Sequence, residues 1–368
     1  MKNTFGTSIQ LTLFGESHGE AIGAVLDGLA PGISVDEAEI ARQLARRRPS
    51  SPLDTARREP DPFRIVSGVW QGKTTGTPIC FIIPNEDTHS ADYEAMRQLA
   101  RPSHADYAAH CKYHGFEDYR GGGHFSGRIT AALVAAGAIL RVALSGVGIS
   151  IGTHILLCGG VRDRAFAMYP EADIARLAEA DFPVLDGDCA APISAAILQA
   201  KYNCDSIGGV VQTAVTGVPA GVGEPWFDSV EGRLSHALFA IGGIKGVAFG
   251  AGFDTAVLPG SQFNDAFRAE NGRIVTCTNH NGGINGGITN GMPIMFDCAV
   301  KPTPSIARPQ QTVNFDTVEN VTLSIHGRHD PAIIRRICPV VDSVTALVVA
   351  DLIAERYGTD VFLRGDFE

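Results

Sequence analysis

Metal-ligand spacing is missing from this chain: its eight cysteines are scattered and none falls in a Cys-x-x-Cys pair. Scattered thiols fit free cysteines in a reducing compartment, so a cytoplasmic protein with no bound metal is expected. Residues 1–10 carry no basic region followed by an apolar stretch, so no export leader is expected either. The apolar runs at 131–144 and 344–353 are short and interrupted by Arg141 and Asp351, which argues against a membrane span. Thirty basic residues against forty acidic ones leave a net charge of −10, the wrong sign for a nucleic-acid or membrane-surface partner. No Ser/Gly-rich or charged linker divides the chain, and one domain over residues 1–368 is expected.

Glycine, by contrast, is abundant, with 42 residues clustered at 121–123, 208–209, 242–246 and 282–291. Basic residues are bunched as well, at 46–48, 57–58, 101–128, 328–329 and 335–336. An acidic body with basic clusters beside glycines suggests a small polyanionic ligand held locally. The densest such stretch is 101–128, where Arg101, His104, Lys112, Arg120, His124 and Arg128 surround Gly121-Gly122-Gly123. Three glycines permit positive φ and leave backbone N–H groups unshielded. An Ala-rich apolar run at 129–144 reads as a buried helix whose N-terminal end would attract an anion. The plainer alternative is a solvated basic loop ahead of a core helix. Standard nucleotide motifs do not fit: Arg128 and Ile129 stand where a P-loop needs Lys and Ser or Thr.

Elsewhere the pattern alternates strands and helices. Residues 5–13 and 21–29 read as strands, and Ser34 with Glu37 as a capping box for a helix ending at 46–48. Strands are expected at 65–69, 79–83, 149–161, 210–218, 294–300 and 322–325, and helices at 93–99, 171–180 and 191–203. Asp330-Pro331 reads as an N-cap and first helical residue, with Pro339 breaking that helix and an amphipathic one following at 340–354. Gly15-Glu16-Ser17-His18-Gly19 matches the serine-hydrolase elbow, but only fourteen residues precede it, too few for the sheet and oxyanion loop such an elbow needs. A non-catalytic flavin or anion carrier is a further alternative.

Together these motifs resemble chorismate synthase over nearly the whole chain. The resemblance rests on Phe14-Gly15-Glu16-Ser17-His18-Gly19, Arg46-Arg47-Arg48-Pro49, Arg57-Arg58-Glu59-Pro60-Asp61, Ser67-Gly68-Val69 and Gly72-Lys73-Thr74-Thr75-Gly76-Thr77-Pro78-Ile79. It continues through Arg101-Pro102-Ser103-His104-Ala105-Asp106-Tyr107, Asp118-Tyr119-Arg120-Gly121-Gly122-Gly123, Lys245-Gly246-Val247, Lys301-Pro302-Thr303 and Gly327-Arg328-His329-Asp330-Pro331. It implies an α+β fold with helices sandwiched between antiparallel β-sheets, usually assembled as a homotetramer. The implied reaction is a 1,4-elimination of phosphate from 5-enolpyruvylshikimate 3-phosphate, giving chorismate and requiring reduced FMN. No segment looks able to house a flavin reductase, so reduced flavin is expected from an external source.

By the same resemblance His18 donates a proton to the departing phosphate, His104 serves the reduced flavin, and Asp330 helps remove the ring proton. Arg47, Arg48, Arg120 and Arg328 are expected to bind the substrate's anionic groups, a task that suits the guanidinium fork. Flavin contacts carry over to His124, Phe125, Ser126, Gly242, Gly243, Gly286, Lys301, Pro302, Thr303, Pro304, Ser305 and Arg328. The chain departs from the family at His124-Phe125, where relatives have Arg-Ser, and at Gly242-Gly243, where they have Asn-Ala or Pro-Ala. A family arginine shortly after Arg48 is also absent.

Overall fold

The computed structural model describes residues 2–55, 60–86, 96–325 and 329–367. Two five-stranded antiparallel sheets form its outer layers. The first runs in the order Thr4–Phe5, Gln10–Gly15, Ala21–Asp27, Ile79–Pro84, Arg64–Ser67. The second runs Ile244–Phe249, Ile294–Val300, Gly209–Thr216, Ser150–Cys158, Val161–Arg162. Alternation explains the inner faces: Ile22, Ala24 and Leu26 are buried in one strand, Ile79, Phe81 and Ile83 in its neighbour, and Ile294, Phe296, Cys298 and Val300 in the second sheet.

Between the sheets lie the helices Glu37–Arg47, Thr130–Gly146 and Ile334–Tyr357. Thr130–Gly146 packs on the first sheet, and Ile334–Tyr357 packs on both that helix and the second sheet. Their approach is close because Gly137 has no side chain: a Cβ there would stand 2.3 Å from the Cβ of Ser343. The segments Gly127–Gly146 and Ile334–Tyr357 are apolar and long enough to cross a bilayer, yet here most of their apolar surface is buried in the protein core. The expected sandwich of helices between antiparallel sheets is the one observed.

Three local expectations are corrected. The cap of helix Glu37–Arg47 is Asp36, whose carboxylate accepts the Ala38 and Glu39 N–H groups at 2.9 and 3.2 Å, and not Ser34. Pro339 does not end a helix but lies inside Ile334–Tyr357. The one backbone bond it removes is outweighed by burial: residues 337–354 are all enclosed, on every side of the helix, which is therefore not amphipathic. Asp330 caps nothing, since the helix starts at Ile334 after Ile333 and its carboxylate is bound elsewhere. The helix expected at 93–99 falls largely outside the described residues.

Candidate active site

The turn at Gly121, Gly122 and Gly123 holds φ of 60°, 82° and 52°, the left-handed range that glycine alone enters without strain. The backbone of Ser17 donates to the Gly123 carbonyl at 3.1 Å, which brings the 15–19 turn onto it. A Cβ on Gly121 would lie 2.4 and 2.5 Å from Cδ2 and Nε2 of His18, and one on Gly122 would lie 3.3 Å from Cε1 and Nε2 of His104. Two imidazoles from distant parts of the chain thus rest against consecutive glycines, whose Cα atoms are about 3.8 Å apart.

His104 is oriented by a compact charge cluster. Asp106 Oδ1 lies 2.6 Å from His104 Nδ1, and Arg101 grips both oxygens of the same carboxylate at 2.7 Å. The short carboxylate contact places the Nδ1 proton toward Asp106, leaving Nε2 to face Gly122. Burial alone would raise the Asp106 pKa, but hydrogen bonds from Arg101 and His104 outweigh it and hold the carboxyl well below the usual range. Asp118 behaves alike: burial opposes its charge, while the side chain and N–H of Arg120 stabilise it more.

A cavity of about 190 Å³ is lined by Ser126 and Arg128, which follow this turn in the chain, together with Arg47, Gly242, Asp330 and Arg336 among others; neither His18 nor His104 lines it. Buried Asp61 sits behind it, pairing with Arg128 and lying 3.6 Å from Arg47. Asp61 also adopts a φ of 52°, a left-handed conformation uncommon for a side chain this buried. Arg128 is fixed further by Asn85 Oδ1 and the Pro84 carbonyl, both at 2.9 Å. Asp330 Oδ1 accepts the Thr55 N–H at 3.0 Å and Oδ2 accepts from Arg336 at 2.5 Å. Three guanidinium groups against one lining carboxylate and one behind it make the cavity cationic. Its Gly242 edge is bare, with no atom within 4 Å of where a Cβ would be.

The remaining expected residues distribute unevenly. His124 Nδ1 donates to the Gly15 carbonyl at 2.8 Å, while Phe125 lines a separate, smaller pocket with His104 and Gly122. Lys301 bonds the Ser103 carbonyl, Thr303 the Asp330 carbonyl, and Ser305 lies 3.5 Å from Arg101, so the 301–305 segment is tied to the 101–103 loop and to Asp330 but lines neither pocket. Pro302 and Pro304 stiffen that segment. Lys301 is pushed below its usual pKa by burial and then by nearby Lys245. Gly243 accepts the Lys301 N–H at 2.9 Å. Arg48 instead turns to the Pro60 carbonyl, Arg120 to Asp118, and Gly286 sits in the hairpin turn between Ile284–Asn285 and Ile288–Thr289. Arg328 lies outside the described residues. Ser17 is fully buried, its hydroxyl enclosed without a hydrogen-bond partner, which is no posture for an exposed hydrolase nucleophile.

A family model described as chorismate synthase matches residues 9–354. The chain belongs to the chorismate synthase family. Among the relatives, the chorismate synthase of Methanocella arvoryzae is 44% identical over 350 residues, covering 95% of this chain and 93% of the relative. That of Thermococcus kodakarensis is 42% identical over 360 residues, covering 98% and 99%. A solved structure titled "Crystal Structure of Chorismate Synthase" superposes with a TM-score of 0.77 at 28% identity, covering 96% of this chain and 94% of that one. Chorismate synthases are carbon-oxygen lyases of the shikimate pathway and use reduced FMN; of the expected flavin contacts, Ser126 and Gly242 line the cationic cavity.

Proposed function

We propose that the chain performs the family's 1,4-elimination at the cavity between Asp330 and the end of helix Glu37–Arg47, with His18 and His104 as its proton-carrying groups. The observation that supports this is the seating of both imidazoles on Gly121 and Gly122, in the chain stretch that continues through Ser126, Gly127 and Arg128 to line a cavity shared with Arg47 and Arg336. In the reaction the C3–O bond to phosphate and the C6–H bond both break, and a second ring double bond forms without net oxidation. Reduced FMN, when bound, would lend electron density to the ring for this elimination with no net change in its own oxidation state.

The protein's own part is electrostatic and positional. Arg47, with Arg48, Arg120 and Arg328 as further candidates, neutralises the substrate's carboxylates and phosphate. His18 donates a proton to the departing phosphate, which lowers the charge accumulating on the leaving oxygen. His104, held through Nδ1 by Asp106, would serve the cofactor from Nε2, and Asp330 assists removal of the ring proton. His124, Phe125, Ser126, Gly242, Gly243, Gly286 and the 301–305 segment would hold the flavin, and the buried flanks keep bulk water from it.

The whole chain acts as one domain, a reading supported by an apolar core that draws on both sheets. Large apolar side chains at the surface, among them Trp226, Phe227, Phe253 and Val257, support self-association into the tetramer usual for the family. Eight free cysteines fit a cytoplasmic location, and reduced flavin would come from a separate reductase. His18→Ala and His104→Ala should each slow turnover roughly 100-fold or more while largely sparing flavin binding. A near-normal rate in either variant would remove that histidine from proton transfer.

A further inference from the structure

Arg336 stands in the first turn of helix Ile334–Tyr357, where the positive end of the helix dipole disfavours a cation. Its neighbour Arg335 is in the same position and is offset by Asp54. Arg336 makes two bonds of a different kind. Nη1 donates to Asp330 Oδ2 at 2.5 Å, and Nε donates to the backbone carbonyl of Arg47 at 2.8 Å, at the C-terminal end of helix Glu37–Arg47. That second site is favourable to a cation, since the last-turn carbonyls carry partial negative charge. One planar guanidinium therefore spans two walls of the cavity, the wall holding the Asp330 carboxylate and the wall holding the Arg47 side chain.

We infer that Arg336 is a positioning residue, a strut that fixes the Asp330 carboxylate relative to Arg47 across the cavity. The inference rests on the elimination reading above. A guanidinium suits the task because its bonds leave in fixed directions from one plane, so the carboxylate and the helix end are set in both distance and orientation. The Thr55 N–H on Asp330 Oδ1 completes the arrangement, leaving the carboxylate little freedom to rotate. A lysine would preserve charge but could not make both bonds from rigidly related atoms. With the strut gone, Asp330 would lose its aim toward the ring proton while the other cavity cations remained.

The test uses full-length protein with reduced FMN and substrate, wild type as reference, and Arg336→Gln, Arg336→Lys, Asp330→Asn and the Arg336→Gln/Asp330→Asn double variant. Arg336→Gln should lower kcat by about 10-fold or more with KM and the affinity for oxidised FMN changed less than about 3-fold, and Arg336→Lys should recover part of the loss. In the Asp330→Asn background Arg336→Gln should cost no more than about 2-fold further, because both act through one carboxylate. Full activity in Arg336→Gln, or losses that multiply in the double variant, would overturn the inference. So would a loss explained by unfolding, read as a thermal midpoint falling in step with activity in both single variants at Arg336. A wild-type protein without turnover would instead sink the elimination reading itself.

Discussion

Gly121→Ala is the sharpest perturbation of the site, because it changes one methyl group at the contact that seats His18. The new Cβ would need φ near 60°, a left-handed conformation costing an L residue about 1–2 kcal/mol. It would also lie 2.5 Å from His18 Nε2 and 3.0 Å from Ser17 Oγ, so the ring must move. Unfolding entropy of about 2.1 cal/mol/K per residue over 368 residues is about 0.8 kcal/mol/K, so the strain alone should lower the thermal midpoint by only about 1–3 °C. At room temperature such a protein remains folded, and its activity then reports on geometry. A displacement of about 1 Å in a proton donor costs on the order of 100-fold in rate. Gly146→Ala provides the control, since no atom lies within 4 Å of its Cβ position, its φ is not positive and it is exposed at the far end of helix Thr130–Gly146 from the cavity. Anaerobic turnover and calorimetry on both variants decide the matter. Gly121→Ala retaining more than about a third of the wild-type rate would refute the claim that this turn sets His18.

Asp61→Ala should be among the most damaging core changes, because it strands the buried Arg128 guanidinium and withdraws a partner from Arg47. A loss of about 3–5 kcal/mol is expected, seen as a midpoint lowered by about 4–6 °C, and a shift under 1 °C would contradict the pairing. Asp297 offers a test with the opposite sign. Burial raises its pKa despite the Gln212 amide that donates to it at 2.9 Å, so the carboxylate costs stability as pH rises through and beyond its unfolded value near 4. Asp297→Asn, which keeps the acceptor, should therefore be more stable than wild type at pH 7 and show no advantage near pH 3; chemical denaturation at the two pH values checks this.

Strands were legible because alternation such as Ile22, Ala24 and Leu26 survives in the sequence whatever the strand pairs with. The helix Thr130–Gly146 was legible from its apolar run, but its burial between sheets came only from the resemblance. Local rules failed where distant partners intervened. Asp330 carries the ideal cap composition, yet its carboxylate is claimed by Thr55, 275 residues away in sequence, and by Arg336. Pro339 reads as a breaker, but the surrounding core holds the helix through it. The histidines were found from motifs, and the Arg101, His104, Asp106 spacing was the signal that could have shown the orienting carboxylate too. Asp61 and Arg336 had no local signal of their role, because their partners come from elsewhere in the chain.

The most direct measurement of the central claim is stoichiometry under anaerobic conditions: purified protein, photoreduced FMN and 5-enolpyruvylshikimate 3-phosphate, with chorismate absorbance, phosphate release and the flavin spectrum followed together. Many turnovers per flavin, one phosphate released for each chorismate formed, and a flavin still reduced at the end are the expected result. No turnover by folded protein, or one flavin oxidised for each product, would contradict it.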